Sequence, residues 1–371
     1  LQDELESVRL ASRQLSRTIG QAKQAGHSVS ALVEQKKHLS QRERELEELL
    51  SKKAESLQRT QRLPESEAPR SAKLGHASAG ATAPPTAENN TPAEVALARQ
   101  ADWGEWDSFV GQHPGASVYH LSGWRTVIQK SFGHDCPYLV ARRSGQVVGV
   151  LPLVRMQSRL FGHFMVSMPY FNYGGALSHD AATDQALNRK AIELATAAGC
   201  RHVEWRESAQ RPGFPARTDK VNMWLDLPAD ADSLWRGLGS KLRAQIKKAQ
   251  ASGLTYETGG LGLLDEFYRV FSINMRDLGT PVYGKTFFEN ILRDAPGEPV
   301  LVIGRTPQGE AVSASLLLRH GARMEVPWAS TLRRANTLNA NMGLYWHMLS
   351  HACRSSCTVF DFGRSSTDAP T

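Results

Sequence analysis

Short helical patterns and short strand patterns alternate from Asp102 to the end of the chain, and few folds accept such an order. The helical patterns repeat apolar residues at three- and four-residue spacing, and they predict helices over 124–132 (WRTVIQKSF), 232–252, 262–278 and 285–294. The strand patterns are short apolar runs bounded by turn residues, and they predict a hairpin of strands 137–143 and 146–156 around the turn Ser144–Gly145. The order occurs twice. We therefore predict an α+β fold with two similar units in tandem, residues 99–229 and residues 230–371.

The first part of the chain is different. Residues 1–62 contain no proline, and their apolar residues recur at alternating three- and four-residue steps on both sides of a break at Gly26. This pattern predicts two helices that cover each other's apolar stripes, an antiparallel coiled-coil hairpin. Residues 63–98 are rich in Ala, Pro, Ser, Gly and Thr without periodic apolar residues, which predicts a flexible linker.

Composition narrows the class of protein. The chain has 371 residues, 41% of them hydrophobic, and contains no run of eighteen apolar residues and no signal-peptide pattern, so we expect a cytoplasmic protein without an integral membrane segment. The formal net charge of +7 favours anionic partners. The cysteines are too few and too scattered for a disulfide framework, which fits a reducing compartment; they are Cys136, Cys200, Cys353 and Cys357.

One segment matches the spacing of a nucleotide phosphate-binding loop. GTPVYGKT at 279–286 reads G-x-x-x-x-G-K-T, and VFD at 359–361 resembles the acid-ended strand that holds magnesium beside such a loop. Such a loop requires a buried strand that leads directly into it. Here the preceding residues, 262–278, have helical spacing and end at Gly279. We therefore expect helix, loop and helix, and no nucleotide hydrolysis.

A second segment, SKLRAQIKKAQASG at 240–253, combines a narrow apolar stripe with cations around much of the predicted helix. A solvated surface would explain this pattern. Cations at helical spacing can also hold several anionic oxygens at once, and the segment lies at the junction of the two units, where pockets tend to form. We take this cluster as a candidate diphosphate clamp; its members are Lys241, Arg243, Lys247 and Lys248.

The strand VFDFGRSS at 359–366 ends in an acid, a glycine and an arginine. An Asp–Arg pair that closes the sheet is one interpretation. In the other, Asp361 accepts a proton from an attacking amine or orients it, while Arg364 holds an anionic part of the substrate. The loop that ends MVSMPYFNYGG supplies further candidates for substrate binding, although core packing would explain them nearly as well; they are Tyr173, Gly174 and Gly175, with Tyr170 beside them.

From about Asp102 to Arg364 the chain resembles the FemAB-type branch of the GNAT acyltransferases, in particular the FemAB-like proteins associated with PEP-CTERM/exosortase and exopolysaccharide gene clusters. The stretches that carry the resemblance are WDSFVGQHPGASVYHLSGWRTVIQKSFGH, VVGVLPLVRMQSRLFGHFMVSMPYFNYGGAL, KLRAQIKKAQASGLTYE, RDLGTPVYGKTFFENIL and YWHMLSHACRSSCTVFDFGRSS. The family has two GNAT-like domains in tandem. Its members continue with a further strand, so the resemblance implies that the second unit is incomplete at its C-terminus.

The resemblance implies transfer of an acyl or aminoacyl group to an amine on a cell-wall or exopolysaccharide precursor, such as an anionic glycan or a nucleotide-linked precursor. We expect no bound cofactor, and the acyl donor is either aminoacyl-tRNA or acyl-CoA. The GNAT signature for coenzyme A, Arg/Gln-x-x-Gly-x-Gly/Ala, is missing. ANTLNANMGLYW nevertheless places Asn339 and Asn341 at a helix start, where either can cap the helix or meet an anion.

The N-terminal segment, which includes SRTIGQAKQAG and the trailing LPES at 63–66, resembles the tRNA-binding arm of bacterial-type seryl-tRNA synthetases. The resemblance implies phosphate contacts to tRNA from Arg13, Arg17, Lys23 and Lys36. A charged hairpin that serves self-association has the same pattern. A tRNA- or RNA-binding protein with a non-catalytic body therefore stays open as the alternative to an acyltransferase. A third hypothesis is a coiled-coil assembly factor for polysaccharide export.

Metal chemistry finds little support in the sequence. His347 and His351 share a helical face, but Cys353 and Cys357 fall around the following turn in a spacing that no known zinc motif uses. Neither H-E-x-x-H nor G-x-S-x-G is found. We therefore expect no metal site, and no metalloprotease or serine-hydrolase chemistry.

Overall fold

The computed structural model describes residues 91–158, 162–207 and 214–367, and in addition Glu34, Lys36 and Gln41. The chain divides into two units, Leu1–Thr86 and Ala87–Thr371. The three isolated residues are helical.

Most of the predicted coiled-coil arm, 1–62, lies outside the described residues, and so does the predicted linker up to residue 90. Of the arm's predicted RNA-binding residues, Arg13, Arg17 and Lys23 lie outside them as well, and Lys36 is a half-buried helical residue. The hairpin and its role remain predictions.

The described residues in the first half of the larger unit form three α-helices and seven short strands. The predicted helix WRTVIQKSF and the predicted hairpin after it are confirmed, although Pro152 ends the second strand early because it has no N–H to donate. In chain order the elements are β1 (Glu94–Leu97), α1 (Trp103–Gln112), α2 (Trp124–Phe132), β2 (Leu139–Arg143), β3 (Gln146–Leu151), β4 (Val154–Ser158), β5 (Gly162–Val166), β6 (Leu177–Ser178), α3 (Ala181–Ala197) and β7 (Val203–Glu204).

Two small sheets form this half, with strand orders β1-β2-β3-β6 and β4-β5-β7. β3 pairs antiparallel with β6, and β4 pairs antiparallel with β5. Only two residues separate β3 from β4. Their partner strands β5 and β6 are separated by the ten residues 167–176, which belong to no strand. This excursion is the aromatic, glycine-bearing loop predicted from the sequence.

The linker prediction, 63–98, is wrong at its end. Residues Glu94–Leu97 form β1, which pairs antiparallel with Leu139–Arg142 of β2. Backbone pairing with β2 holds this segment, because only Val95 of its side chains is half-buried and the other three are exposed. A four-residue run that depends on a distant partner strand gives no periodic pattern of its own in the sequence.

The second half has five helices and a six-stranded sheet. The helix predicted over 232–252 is two helices, because the chain is extended at Leu238 and Gly239. The elements are β8 (Lys220–Asp226), α4 (Ala231–Gly237), α5 (Ser240–Ala251), β9 (Thr255–Gly259), α6 (Leu264–Asp277), α7 (Lys285–Asp294), β10 (Val300–Arg305), β11 (Ala311–His320), β12 (Arg323–Thr331), α8 (Ala340–Arg354) and β13 (Val359–Ser366).

The strand order of this sheet is β8-β13-β12-β11-β10-β9. Only β12 and β13 run parallel; α8 connects them across one face of the sheet, as a parallel connection requires. β8 belongs to the range 99–229 that we assigned to the first unit, yet it pairs antiparallel with β13. The predicted boundary near residue 230 is therefore wrong for the sheet, which begins at Lys220.

One apolar core joins the two halves. Trp106 and Trp124 of the first half belong to the same buried cluster as Phe267, Phe287 and Phe288 on α6 and α7. A separate cluster lies beneath α8 on the other face of the large sheet. Across the described residues, no helix is both long and apolar enough to span a membrane.

Candidate functional site

Three neighbouring strands of the large sheet carry a row of polar side chains. Trp224 on β8 is the register partner of Asp361 on β13, and Asp361 is the register partner of Glu325 on β12. Residues directly paired across neighbouring strands project to the same face, so the indole and the two carboxyl groups lie side by side. Asp361 is 0% exposed and Glu325 is 4% exposed. The sheet thus buries two neighbouring acids.

The parallel strands separate immediately after this pair of acids. β12 and β13 pair only over Arg323–Glu325 and Val359–Asp361. Beyond that point the register of β13 against β8 shifts, with Gly363 at a φ of 79°, which is a conformation that glycine adopts most easily. The next residues of both strands line a cavity of about 1420 Å³. Ligands often bind beyond the carboxyl ends of parallel strands, where the chains part.

Asp361 is fully engaged by hydrogen-bond donors. The Tyr173 hydroxyl donates to Oδ2 at 2.7 Å, the Trp224 indole N–H donates to the same oxygen at 2.8 Å, and the Gly363 backbone N–H donates to Oδ1 at 2.8 Å. Burial, followed by the hydrogen bond and charge of Asp361, raises the pKa of the Tyr173 phenol well above its ordinary range, so this phenol stays a donor. Asp361 therefore ties the first-half loop to β8.

Glu325 has far weaker support. The Asn172 amide donates to its Oε1 at 3.4 Å, near the limit for a hydrogen bond. The buried Tyr119 hydroxyl interacts electrostatically with Glu325 but makes no hydrogen bond of normal geometry within the described structure. Burial and the neighbouring charge of Asp361 raise the pKa of Glu325 to about 8. Near neutral pH this carboxyl group is mostly protonated.

The loop 167–176 carries both Asn172 and Tyr173, and its backbone is strained. Met168 and Tyr170 have φ values of 56° and 75°, which non-glycine residues adopt rarely. His120 helps to hold the loop, because its Nε2 lies 3.0 Å from the Gly175 carbonyl while its Nδ1 accepts the Ser117 N–H at 3.0 Å. Burial lowers the pKa of His120 to about 4, so the ring is neutral and donates through Nε2.

Cations and aromatic rings line the cavity. Arg206 is mostly buried, with its side chain 23% exposed, and forms an ion pair with Glu204 at 2.8 Å. Burial lowers the pKa of Arg206, and the charge of nearby Arg364 adds to this effect. Burial raises the pKa of Tyr283, and the charges of Arg206 and Arg364 oppose that rise. Trp205 supplies an aromatic wall.

The structure brings together some of the residues predicted from the sequence. Asp361 and Tyr173 are hydrogen-bonded, and Arg364 lies where pairing with β8 resumes after the register shift and lines the cavity. Arg364 is exposed and forms no ion pair within the described part of the chain. Tyr173, from a distant segment, thus contacts the strand that carries both Asp361 and Arg364. Their roles in binding and proton transfer remain predictions.

The packing around the two glycines of the loop fits the second of the two interpretations, that of core packing. A Cβ atom on Gly174 would lie 2.4 Å from the Met168 Cβ, and one on Gly175 would lie 2.4 Å from the Glu207 Cγ. Both glycines are therefore needed for packing of the loop itself. Approach of a substrate to their backbone remains a prediction.

The predicted diphosphate clamp on α5 lies elsewhere. α5 packs against α8 through Ala249, and none of its four cations lines the cavity beside Arg364. They form no ion pair among the described residues and stay available to a different anion. Asn339 begins α8 with a φ of 54° and makes no side-chain capping hydrogen bond, while Asn341 accepts a long bond from Thr331 at 3.4 Å. The alternative of capping by Asn339 is therefore wrong.

Comparisons with known proteins bear on the second half first. Residues 238–369 match the family model described as an acetyltransferase (GNAT) domain. The comparison with curated proteins found no match. Among solved structures the fold resembles FemX with a TM-score of 0.58 at 16% identity, over 75% of this chain and 90% of that one. The fold is that of the GNAT acyltransferases. L-PGS from Bacillus licheniformis is also similar, with a TM-score of 0.45 at 11% identity, over 72% of this chain and 78% of that one.

Within this GNAT fold the G-x-x-x-x-G-K-T motif is not a phosphate cradle. α6 precedes it and α7 follows it, and Lys285 forms an ion pair with Asp265. The prediction of helix, loop and helix is confirmed. The loop between the two helices instead carries Tyr283, whose ring packs edge to face against Phe287 and Trp328 with centroids 5.4 and 6.1 Å apart.

No group of three or more possible metal-binding side chains is found among the described residues of the GNAT fold. His347 lies 2.9 Å from the Thr258 hydroxyl, and Cys353 and Cys357 are buried free thiols. Burial raises the pKa of both thiols, which keeps them protonated.

Sequence reasoning missed several site residues: Glu325, Asn172, Trp224, Arg206 and Tyr283. One signal was available, because Glu325 is an isolated acid between Met324 and Val326 in an otherwise apolar strand, and such an acid is rarely buried without a function. The other residues are ordinary in the sequence. Only the register of β8, β13 and β12 and the fold of the loop bring them to the same place.

Proposed function

We propose that this protein is an acyl- or aminoacyltransferase of FemAB type that acts on an amine of a cell-wall or exopolysaccharide precursor. The main support for the proposal is the separation of β12 and β13, because it opens a cavity of about 1420 Å³ directly beside two buried acids. The GNAT domain match and the FemX-like fold support the same class of reaction.

The proposed reaction is direct attack by the acceptor amine on the carbonyl carbon of an ester or thioester donor. An N–C bond forms, the C–O or C–S bond to the donor breaks, and the amine loses a proton. Such a reaction requires close positioning of the two substrates and a proton acceptor, and it needs no covalent intermediate on the protein. The donor is aminoacyl-tRNA or acyl-CoA.

Asp361 acts in this proposal by orientation rather than by proton transfer. Its two oxygens already receive three donors, and it is 0% exposed. It holds Trp224, which is 50% exposed and lines the cavity, in a fixed position, and the Arg323 guanidinium lies over the indole ring at 4.1 Å from its centroid.

The cavity favours an acceptor with a phosphate or carboxylate group. Arg206 and Arg364 repel each other across it, and an anion between them would offset that repulsion while accepting bidentate hydrogen bonds. Trp205 and Phe214 lie edge to face with ring centroids 5.1 Å apart at the same wall, which suits a sugar ring or a base. These features together fit a nucleotide-linked or lipid-linked glycan.

A transfer assay tests the proposal. The full chain is incubated with acyl-CoA or charged tRNA and with a set of nucleotide-linked and lipid-linked glycans that carry an amine, and each glycan is analysed by mass spectrometry. We expect a mass increase equal to the acyl group on at least one glycan, and less of it with Arg364→Gln. Absence of any increase with all donors would contradict the proposal.

The alternative is a tRNA- or RNA-binding protein with a non-catalytic GNAT-like body. The observation that favours it is the set of four cations on α5 that form no ion pair among the described residues. On this alternative, binding of tRNA falls steeply with added salt and is unchanged by Asp361→Ala, and no acyl transfer is found.

A further inference from the structure

Glu325 and Asp361 are chemically similar groups in unequal surroundings. They are register partners on parallel strands, and both are buried. Three donors at 2.7–2.8 Å satisfy Asp361, whereas Glu325 receives one long bond from Asn172 at 3.4 Å. A buried carboxylate with so little hydrogen bonding is unfavourable beside a second carboxylate. A proton on Glu325 removes this charge.

Glu325 also lies next to residues that line the cavity. Its neighbour Val326 lines the cavity, and so does Asn172, whose amide contacts the carboxyl group. A Cβ atom on Gly363 would lie 3.2 Å from the Asn172 amide nitrogen, so the glycine leaves room for this side chain. Movement of one amide would connect Glu325 with a substrate at the point where the strands part.

We propose that Glu325 is the group that takes up the proton released by the acceptor amine, and that Asp361 is its fixed partner. The inference rests on the proposed function. In the reaction the N–C bond forms, the amine proton passes to the Glu325 carboxylate, the bond to the donor breaks, and the leaving oxygen or sulfur takes a proton from water. Glu325 then returns its proton to solvent.

Several groups around Glu325 set its proton affinity. Asp361 on β13 contributes a like charge and Arg323 on its own strand an opposite one, while the phenols of Tyr119 and Tyr173 approach from the first half. Burial, followed by the charge of Asp361, raises the pKa of Glu325 to about 8, and the Tyr119 and Asn172 side chains and the charge of Arg323 oppose this rise. Such a group is a stronger base than an ordinary carboxylate and is still available near neutral pH.

Infrared spectroscopy of the protein alone tests where the proton lies. A protonated carboxyl group has a C=O stretch distinct from that of a carboxylate, and a ¹³C label in the side-chain carboxyl carbon shifts this band. We expect a protonated-carboxyl band at pH 7 that disappears with a midpoint near 8 and that shifts in protein labelled on glutamate but not in protein labelled on aspartate. A band that shifts only with the aspartate label, or no band at pH 7, would overturn the inference. No variant needs to fold for this test.

The pH dependence of transfer tests the role of the group. We expect the rate to rise with pH through about 8, and Glu325→Gln to lose this dependence together with a factor of about 100 or more in kcat, at an unchanged affinity for the acceptor. Glu310→Gln, a change at an acid on the hairpin between β10 and β11, serves as the matched control. If Glu325→Gln had the same rate and pH profile as Glu310→Gln, the proposal would be contradicted. If no acceptor supports transfer, the proposed function fails, while the infrared result still decides which acid holds the proton.

Discussion

Replacement of Glu325 by glutamine should change how the stability of the protein depends on pH. In the unfolded chain the carboxyl group has a pKa near its ordinary value of 4.5, whereas in the fold burial and Asp361 raise it to about 8. A raised folded-state pKa means that the stabilising contribution is complete below pH 4.5 and is lost as the pH rises towards 8. Glutamine resembles the protonated form and does not titrate.

The difference between the two pKa values sets the magnitude. At about 1.4 kcal/mol per pH unit, the wild-type protein should lose on the order of 5 kcal/mol, relative to Glu325→Gln, between pH 4.5 and pH 8, and about 3 kcal/mol of this by pH 7. Above pH 8 the two proteins should again run parallel. Relaxation around the charged carboxylate would reduce the number but not its sign.

Urea unfolding followed by tryptophan fluorescence at a series of pH values measures this difference. Glu310→Gln removes a negative charge at a hairpin acid that pairs with arginines, so it controls for the change in net charge. The stability profiles of wild type and Glu325→Gln could instead run parallel from pH 5 to 9, separated only by the constant difference that Glu310→Gln also shows. That result would refute the raised pKa of Glu325.

Further predictions concern the surroundings of the acids. Tyr173→Phe should destabilise the fold by about 1–3 kcal/mol in urea unfolding, because Asp361 loses one donor, and a change within 0.5 kcal/mol would show that the bond contributes little. Gly175→Ala should cost a similar amount through its steric contact, and a wild-type stability would contradict the packing described for the loop. The pKa of His120, lowered to about 4, means that acidification from pH 6.5 to 4 should remove about 3 kcal/mol of stability, whereas His120→Gln should lack this loss. Arg364→Gln should raise KM for an anionic acceptor on the order of tenfold, and an unchanged KM would remove the arginine from the binding site.

Local sequence patterns were sufficient for elements that local spacing determines. α2 and α7 were predicted with their observed bounds, because apolar residues at helical spacing and a glycine next to each helix mark them clearly. The same reasoning rejected the phosphate-binding loop, since a helix leads into it. The prediction of one helix over 232–252 failed at Leu238 and Gly239, because two residues between two amphipathic patterns were too weak a signal of the break.

The candidate site was predictable only in part, because it depends on contacts between distant segments. Asp361 and Arg364 stand out as polar residues at the end of an apolar strand. The pairing of Asp361 with Glu325 and Trp224 follows from strand register, which is decided by the whole sheet rather than by any short segment. The cations of α5 are the opposite case. Their spacing is a strong local pattern in the sequence, but none of these side chains lines the cavity.

Acyl transfer measured side by side for wild type, Arg364→Gln and Glu310→Gln tests the central claim most directly, namely that chemistry occurs where β12 and β13 part. The acceptor glycan is analysed by mass spectrometry after incubation with acyl-CoA or charged tRNA. We predict an acyl mass increase with wild type and with Glu310→Gln, and at limiting acceptor a strong loss with Arg364→Gln. Equal transfer by all three proteins, or transfer by none, would contradict the account.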